Sequence, residues 1–400
     1  MTKVLDEPTA AGEPLDFSLV LGGPLYQLFR RAHLTGDAME LLHRRVLAFV
    51  LMTWVPLLVL SALGGHAVGH SIRVPFLLDL ETHARFLVAL PALILAELLV
   101  HVRHRHLVQR FVDRRIVSVE DMPKFQAAIQ WGLRLRNSVP LEIALLVLVW
   151  TVGHAVWRSQ TALSTETWYA MVAGGRWQLT IAGYWFAFVS IPIFQFILIR
   201  WYMRFLIWFG FLWRVSRLNL HLIPTHPDRA GGLAFLGTSV YAFSPVLFAQ
   251  GSLLAGMMAN RVLYEGAKLL SFRLEAVTLI GVAVLFVLGP LMMFTPKLMQ
   301  AKRQGLGAYG LLAGRYVDGF EQKWILGKRA DGDELLGSAD IQSLADLANS
   351  FAVVREMRFV PFGVQDITRL ALTTAAPLVP VGLTVLSLED LVFRLIKILF

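Results

Sequence analysis

His66 and His70 stand four residues apart, His101, His104 and His106 form a second group, and His221 with His226 a third. Imidazoles gathered at helical or turn spacing suit zinc or iron, so the groups raise metal-dependent chemistry as one reading. Glu97 raises another. It sits between "LPALILA" and "LLV", and a carboxylate in such apolar company marks an ion path or proton relay, or else ties helices together by hydrogen bonds. His154, in "VLVWTVGHAVW", and Gln195 are further polar groups in apolar runs; each suits an ion path or an interhelical hydrogen bond.

The elements that must position these residues follow from composition. Of 400 residues, 56% are hydrophobic and only 16% charged, which excludes an ordinary soluble fold. There is no cysteine, so disulfides, thiolate catalysis and Cys-ligated metal centres are excluded. The net charge of +9 would suggest nucleic acid in a soluble chain, but here the basic residues flank apolar runs and set membrane orientation. Nucleic acid is therefore not expected as a partner, and no cofactor is expected. The first residues, "MTKVLDEPTAAGEP", lack the apolar core of a removable signal peptide, so the first span is expected to act as the anchor.

The apolar runs have helix length and lack the ten-residue alternation of a barrel. Spans are expected near residues 46–63, 86–102, 141–157, 177–199, 233–258 and 276–294, with a weaker seventh at 370–386 that is short, holds Pro377 and Pro380, and either spans or re-enters. The expected fold is an all-α integral membrane protein of about seven transmembrane helices. Several are proline-kinked, at Pro56, Pro91, Pro192, Pro245 and Pro290 among others. The chain divides into an amino-terminal segment (1–45) with an interfacial helix from Asp16, a six-helix membrane domain (46–296), a helical aqueous region (297–369) and a carboxy-terminal membrane segment with an amphipathic tail (370–400). With the amino terminus inside, 28 Lys and Arg fall on the cytoplasmic side against 9 outside, which favours that orientation in a bacterial inner membrane. In the aqueous region Ile341, Leu344, Leu347, Phe351 and Val354 recur at helical spacing, and that helix should dock on a neighbouring loop or subunit.

This topology bears on the histidines. Their three-box spacing resembles that of the membrane di-iron hydroxylases and desaturases, but the adjacent His-His pairs of that family are missing, and His66 and His70 fall on the opposite face from the other two groups. A mononuclear site from His221, His226 and Asp228, with a residue of the His101 group, stays open as an enzyme alternative. The run "RWYMRFLIWFGFLWRVSR" is expected to continue the fourth helix into the interface, with Arg200, Arg204 and Arg214 within an arc of about 80° toward anionic headgroups or an anionic solute.

The stretch "HLIPTHPDRAGGL" must turn, because Pro224 and Pro227 bias the residues before them away from helix. Gly231 and Gly232 permit positive φ, and with Arg229 and a helix start beside them the free amides suit an anion. The alternative is a rigid hairpin in which Asp228 caps the fifth helix. Through "RWYMRFLIWFGFLWRVSRLNLHLIPTHPDRAGGLAFLG", "GSADIQSLADLANS" and "PLVPVGLTVLSLEDL" the chain resembles a family of bacterial multi-pass inner-membrane proteins, a resemblance that implies no activity. The leading expectation is a homo-oligomeric channel or transporter for a small ion or solute, embedded in the lipid bilayer with its anionic headgroups. A membrane metalloenzyme and a scaffold that docks a partner through the helix near 340–357 are the alternatives.

Overall fold

A backbone in lipid must satisfy its hydrogen bonds internally, so helix-length apolar runs become helices. A computed structural model describes residues 17–24, 26–27, 42–69, 72–156, 166–173, 176–327 and 338–383. In chain order they form α1 (Leu42–Leu63), α2 (Leu80–Asp113), α3 (Met122–Arg136), α4 (Val139–Val156), a hairpin of β1 (Ala170–Ala173) and β2 (Arg176–Leu179), α5 (Ile181–Ser216), α6 (Phe235–Glu265), α7 (Leu269–Ile325), α8 (Ala339–Glu356) and α9 (Val364–Ala375). Six of these, α1, α2, α4, α5, α6 and α7, are long and apolar enough to cross a membrane. Each coincides with an expected span, with two adjustments. Trp177 belongs to β2, so the fourth span starts at Ile181. The sixth does not stop near residue 294: α7 runs unbroken through residue 297 to Ile325, so the expected boundary between membrane and aqueous regions lies inside a helix.

The connections sort to two opposite ends. At one, Val117 pairs with Leu220, the His221 amide donates to the Ile116 carbonyl at 2.8 Å, and the Arg358 amide donates to the Arg229 carbonyl at 2.7 Å. This is the basic end. At the other, Val74 pairs with Thr167, and Tyr264 donates to the Leu78 carbonyl at 2.9 Å. Such sorting is what alternating spans produce.

The prolines inside the spans sit where the helical winding changes. Pro91 and Pro192 follow π-helical stretches at Ala84–Ala89 and Phe186–Ser190, Pro245 follows a 3-10 stretch at Val240–Phe243, and Pro290 lies within another at Gly289–Phe294. A proline removes one amide donor and its ring crowds the carbonyl four residues back, so the preceding turn re-pairs with a different period.

The weak seventh segment is described as far as Leu383; residues 384–386 lie outside the described part, as does the amphipathic tail. It is not among the six spanning helices. It nevertheless packs along α6 in the same direction. Gly237 meets Pro361 and Asp366, Gly251 meets Thr374 and Pro377, and Val381 joins Met258, Ala259 and Phe272 in a small apolar cluster. A Cβ on Gly251 would stand 2.0 Å from the Thr374 carbonyl oxygen, so only glycine permits this approach. Gly251→Ala is therefore expected to destabilise the protein by about 1–3 kcal/mol through overpacking, read as a lower melting temperature in detergent; a silent substitution would place α9 elsewhere.

Beyond the bundle, α7 and α8 form an antiparallel arm. A Cβ on Gly305 would crowd Pro224 and Val354, Gly310 faces Phe351, and Asp340 accepts from Lys323 and Trp324 at 3.0 Å each. The expected helix near 340–357 forms here, started by Ser338, whose hydroxyl accepts from the Asp340 amide. It docks on the chain's own α7.

Candidate functional site: a buried arginine and glutamate cluster

Glu97 lies near the middle of α2, about 25 Å from its first residue at 1.5 Å per residue. It is 95% buried, and its carboxylate accepts from two guanidinium groups: Arg45 of α1 on Oε2 and Arg204 of α5 on Oε1, the latter at 2.6 Å. Both arginines are buried as well. One turn back on α5, Arg200 faces Glu142 of α4 at 3.3 Å. Among the described residues, three guanidinium groups and two carboxylates thus share one polar layer, where charges act on each other strongly. Arg204 also lies over the Trp201 ring at 4.7 Å and Arg200 over Phe196 at 5.9 Å, contacts that planar guanidinium groups favour.

A narrow cavity of about 30 Å³ adjoins the cluster, lined by Leu19, Arg136, Ser138, Glu142, Arg200 and Arg204 among others. It has room for only about one or two water molecules. Leu19 of the amino-terminal segment forms one wall of it, and the neighbouring residues hold that segment in place. Phe17 is fully buried, stacks on Phe211 with ring centroids 4.8 Å apart and lies against Trp208. Ser18 pairs through its hydroxyl with His101 Nδ1 at 2.9 Å, and Arg136 donates to the Ser18 carbonyl at 2.5 Å. Residues 17–20 are therefore buried among α2, α3 and α5, where an interfacial position had been expected; the rest of that expected helix falls largely outside the described residues. Their fit depends on Gly132, where a Cβ would stand 3.1 Å from the Phe17 ring.

The other residues singled out in the sequence are placed apart from this layer. Gln195 donates to the Gly153 carbonyl at 3.0 Å, and the neighbouring His154 ring stacks on Phe188. Both serve the contact between α4 and α5, toward the end away from the basic loops. Arg214 stacks on Trp131 of α3 at 3.6 Å, so the three arginines expected on one headgroup-facing stripe diverge to Glu142, Glu97 and Trp131. His104 is fully buried between Trp208 and Phe243, and its Nδ1 lies 3.1 Å from the Val100 carbonyl. His66 lies at the end opposite to His101 and His104, while His70 falls outside the described residues.

The "HPDRAGG" turn is built around Asp228. Its Oδ1 accepts from the Ala230 and Gly232 amides at 2.8 and 3.1 Å, and its Oδ2 from the Ala234 amide at 3.0 Å. The Gly232 amide, among those that the sequence offers to an external anion, is therefore engaged by an internal one. Gly231 and Gly232 have φ of 62° and 97°, and Arg229 takes φ 53°, a left-handed conformation uncommon outside glycine. That turn is held from outside by Arg358, which donates to the Asp228 carbonyl, while Arg229 pairs with Glu356 at 3.0 Å. His226 meets Asp228 at 2.9 Å, yet among the described residues no three His, Asp or Glu come together as metal ligands, and His221 does not join the pair.

Burial raises the Asp228 pKa, but the three backbone amides and the nearby His226 outweigh it and hold the carboxyl below its ordinary value. A depressed folded-state pKa stabilises above the unfolded value, near 3.9, and the contribution fades as pH falls through the folded value. Asp228→Ala is thus expected to cost about 1–2 kcal/mol near neutral pH, as capping losses do. The gap to the wild type should close as melting curves are taken from pH 5 toward pH 2.5; a constant gap would contradict the assignment.

Comparison with protein-family models, with curated proteins and with solved structures finds no match.

One further site has no counterpart among the residues singled out in the sequence. Asp79, buried at the far end, accepts from Trp168 Nε1 at 2.8 Å, Asn260 Nδ2 at 2.7 Å, and the Thr82 amide and hydroxyl at 3.1 and 2.6 Å. It ties α2, the segment before β1, and α6 through neutral donors. Its sequence signal is the spacing of Asp79 and Thr82, that of an N-cap; nothing local points to Trp168 or Asn260.

Proposed function

We propose that the protein is an anion channel or transporter of a bacterial inner membrane, with its amino terminus in the cytoplasm and residues 17–20 closing the path. The observation that carries this reading is the buried layer of Arg45, Arg200 and Arg204 against Glu97 and Glu142. Ionisable groups are costly at such a depth and are retained where they serve transport. The planar donors of Arg45, Arg200 and Arg204 suit a passing anion, oxyanions as well as halides. Leu19, on the wall of the adjoining cavity, and Phe17, which anchors the same segment against Phe211, support closure by these residues. The run of α9 and the following residues along about 30 Å of α6 supports a seventh crossing. The larger groove, about 920 Å³, is walled by α1, α2 and α6 residues such as Val46, Val50, Pro91, Leu95 and Phe248; Glu97 is not on it, and lipid is its natural filling.

Chloride efflux from proteoliposomes tests the reading. Phe17→Ala combined with Leu19→Ala should raise the efflux several-fold over the wild type by loosening the closing segment. Efflux equal to that of empty vesicles from both proteins, with chloride and nitrate alike, would refute it.

The arm favours a second reading. Leu311 and Leu312, 59% and 52% exposed on its free face, suit contact with another copy or a partner protein, as a scaffold would use.

A further inference from the structure

Where α5 ends beside the Gly289–Phe294 stretch of α7, a cavity of about 530 Å³ opens at the basic end, lined by Trp213, Arg217, Met292, Met293, Pro296 and Lys297 among others. Its two cations differ from those of the buried layer. Neither the Arg217 nor the Lys297 side chain has an ion pair or hydrogen bond with a described residue; Arg217 only lies over the Trp213 ring, at 5.4 Å. Asp121 is close enough to feel Lys297, but its two oxygens already accept from Lys124 and the Asn219 amide. Among the described residues, no carboxylate lines the cavity.

The approach to this cavity is apolar. Tyr202, Leu206, Phe209 and Trp213 follow one another at intervals of four, three and four residues, so they share one face of α5, and all four are exposed. Beside them on α7 stand Phe286, edge-on to Tyr202 at 6.0 Å, and the exposed Leu285 and Met292. A stripe that faces lipid therefore leads to a tryptophan at its boundary and then to two unpaired cations. That is the order of parts in a phospholipid: acyl chains, glycerol level, anionic phosphate.

We propose that this cavity binds the headgroup of an anionic phospholipid from the leaflet at the basic end, with Arg217 and Lys297 on the phosphate and the acyl chains along the Tyr202 to Trp213 face. The proposal is independent of anion transport.

Native mass spectrometry of the full chain in a neutral detergent tests it, with phosphatidylglycerol and phosphatidylcholine of the same acyl chains titrated separately. Phosphatidylglycerol should bind roughly tenfold tighter or more, since each nearby cation is worth about fivefold. Arg217→Gln with Lys297→Gln should reduce this to the phosphatidylcholine level, while Arg315→Gln on the arm leaves it unchanged. The charge-conserving pair Arg217→Lys and Lys297→Arg should retain the preference, which covers the case of a double Gln variant that fails to fold. Undiminished preference in the Gln variant, or loss of it in the charge-conserving one, overturns the site. So does inorganic phosphate displacing the lipid at equal concentration, since the ligand would then be a free anion.

Discussion

Glu97→Ala is expected to cost about 3–5 kcal/mol of stability, because it leaves Arg45 and Arg204 buried without their shared carboxylate. The penalty comes from the orphaned charges more than from the lost attraction. Adding Arg204→Leu to the same chain should therefore recover part of the loss, and the coupling between the two substitutions, read from a double-mutant cycle of melting temperatures in detergent, should exceed roughly 1 kcal/mol. Additive effects would mean that water reaches the cluster and screens it.

The second large effect lies at the end away from the basic loops. Asp79→Ala is expected to cost about 3–5 kcal/mol, since hydrogen bonds to a charged acceptor contribute about 1.5–3 kcal/mol each and the buried indole and carboxamide donors of Trp168 and Asn260 would lose theirs. The same indole donor gives a separate readout: Trp168 fluorescence should shift and broaden as the segment before β1 detaches from α2. A loss below 1 kcal/mol with unchanged fluorescence would show that this carboxylate does not hold the far end together.

Apolar length and period suffice to place six helices, because lipid leaves the backbone so few choices. The Asp228 cap is legible for a similar reason: proline, aspartate and paired glycines constrain only their own neighbourhood. The charged layer is harder to read. Glu97 stands out in its run, but its partners lie 52 residues before it and 107 after it, and no local pattern ties them to it. The arginines of α5 share an arc on an ideal helix, yet one faces Glu142, one Glu97 and one Trp131, since long side chains follow the nearest charge or ring instead of the helical wheel. For residues 17–20 the sequence points to the interface, because a short apolar segment beside glycines resembles a headgroup-level helix. Its burial required a gap above Gly132, which only the packing of α3 against α5 creates. The unbroken passage of α7 past residue 297 is hidden by its composition, since the helix turns polar without a stop signal.

The most direct measurement is the reversal potential of the Phe17→Ala, Leu19→Ala protein in a planar bilayer under a tenfold potassium chloride gradient. An anion path predicts a potential close to the chloride equilibrium value. A potential on the potassium side, or no current at all, would contradict it.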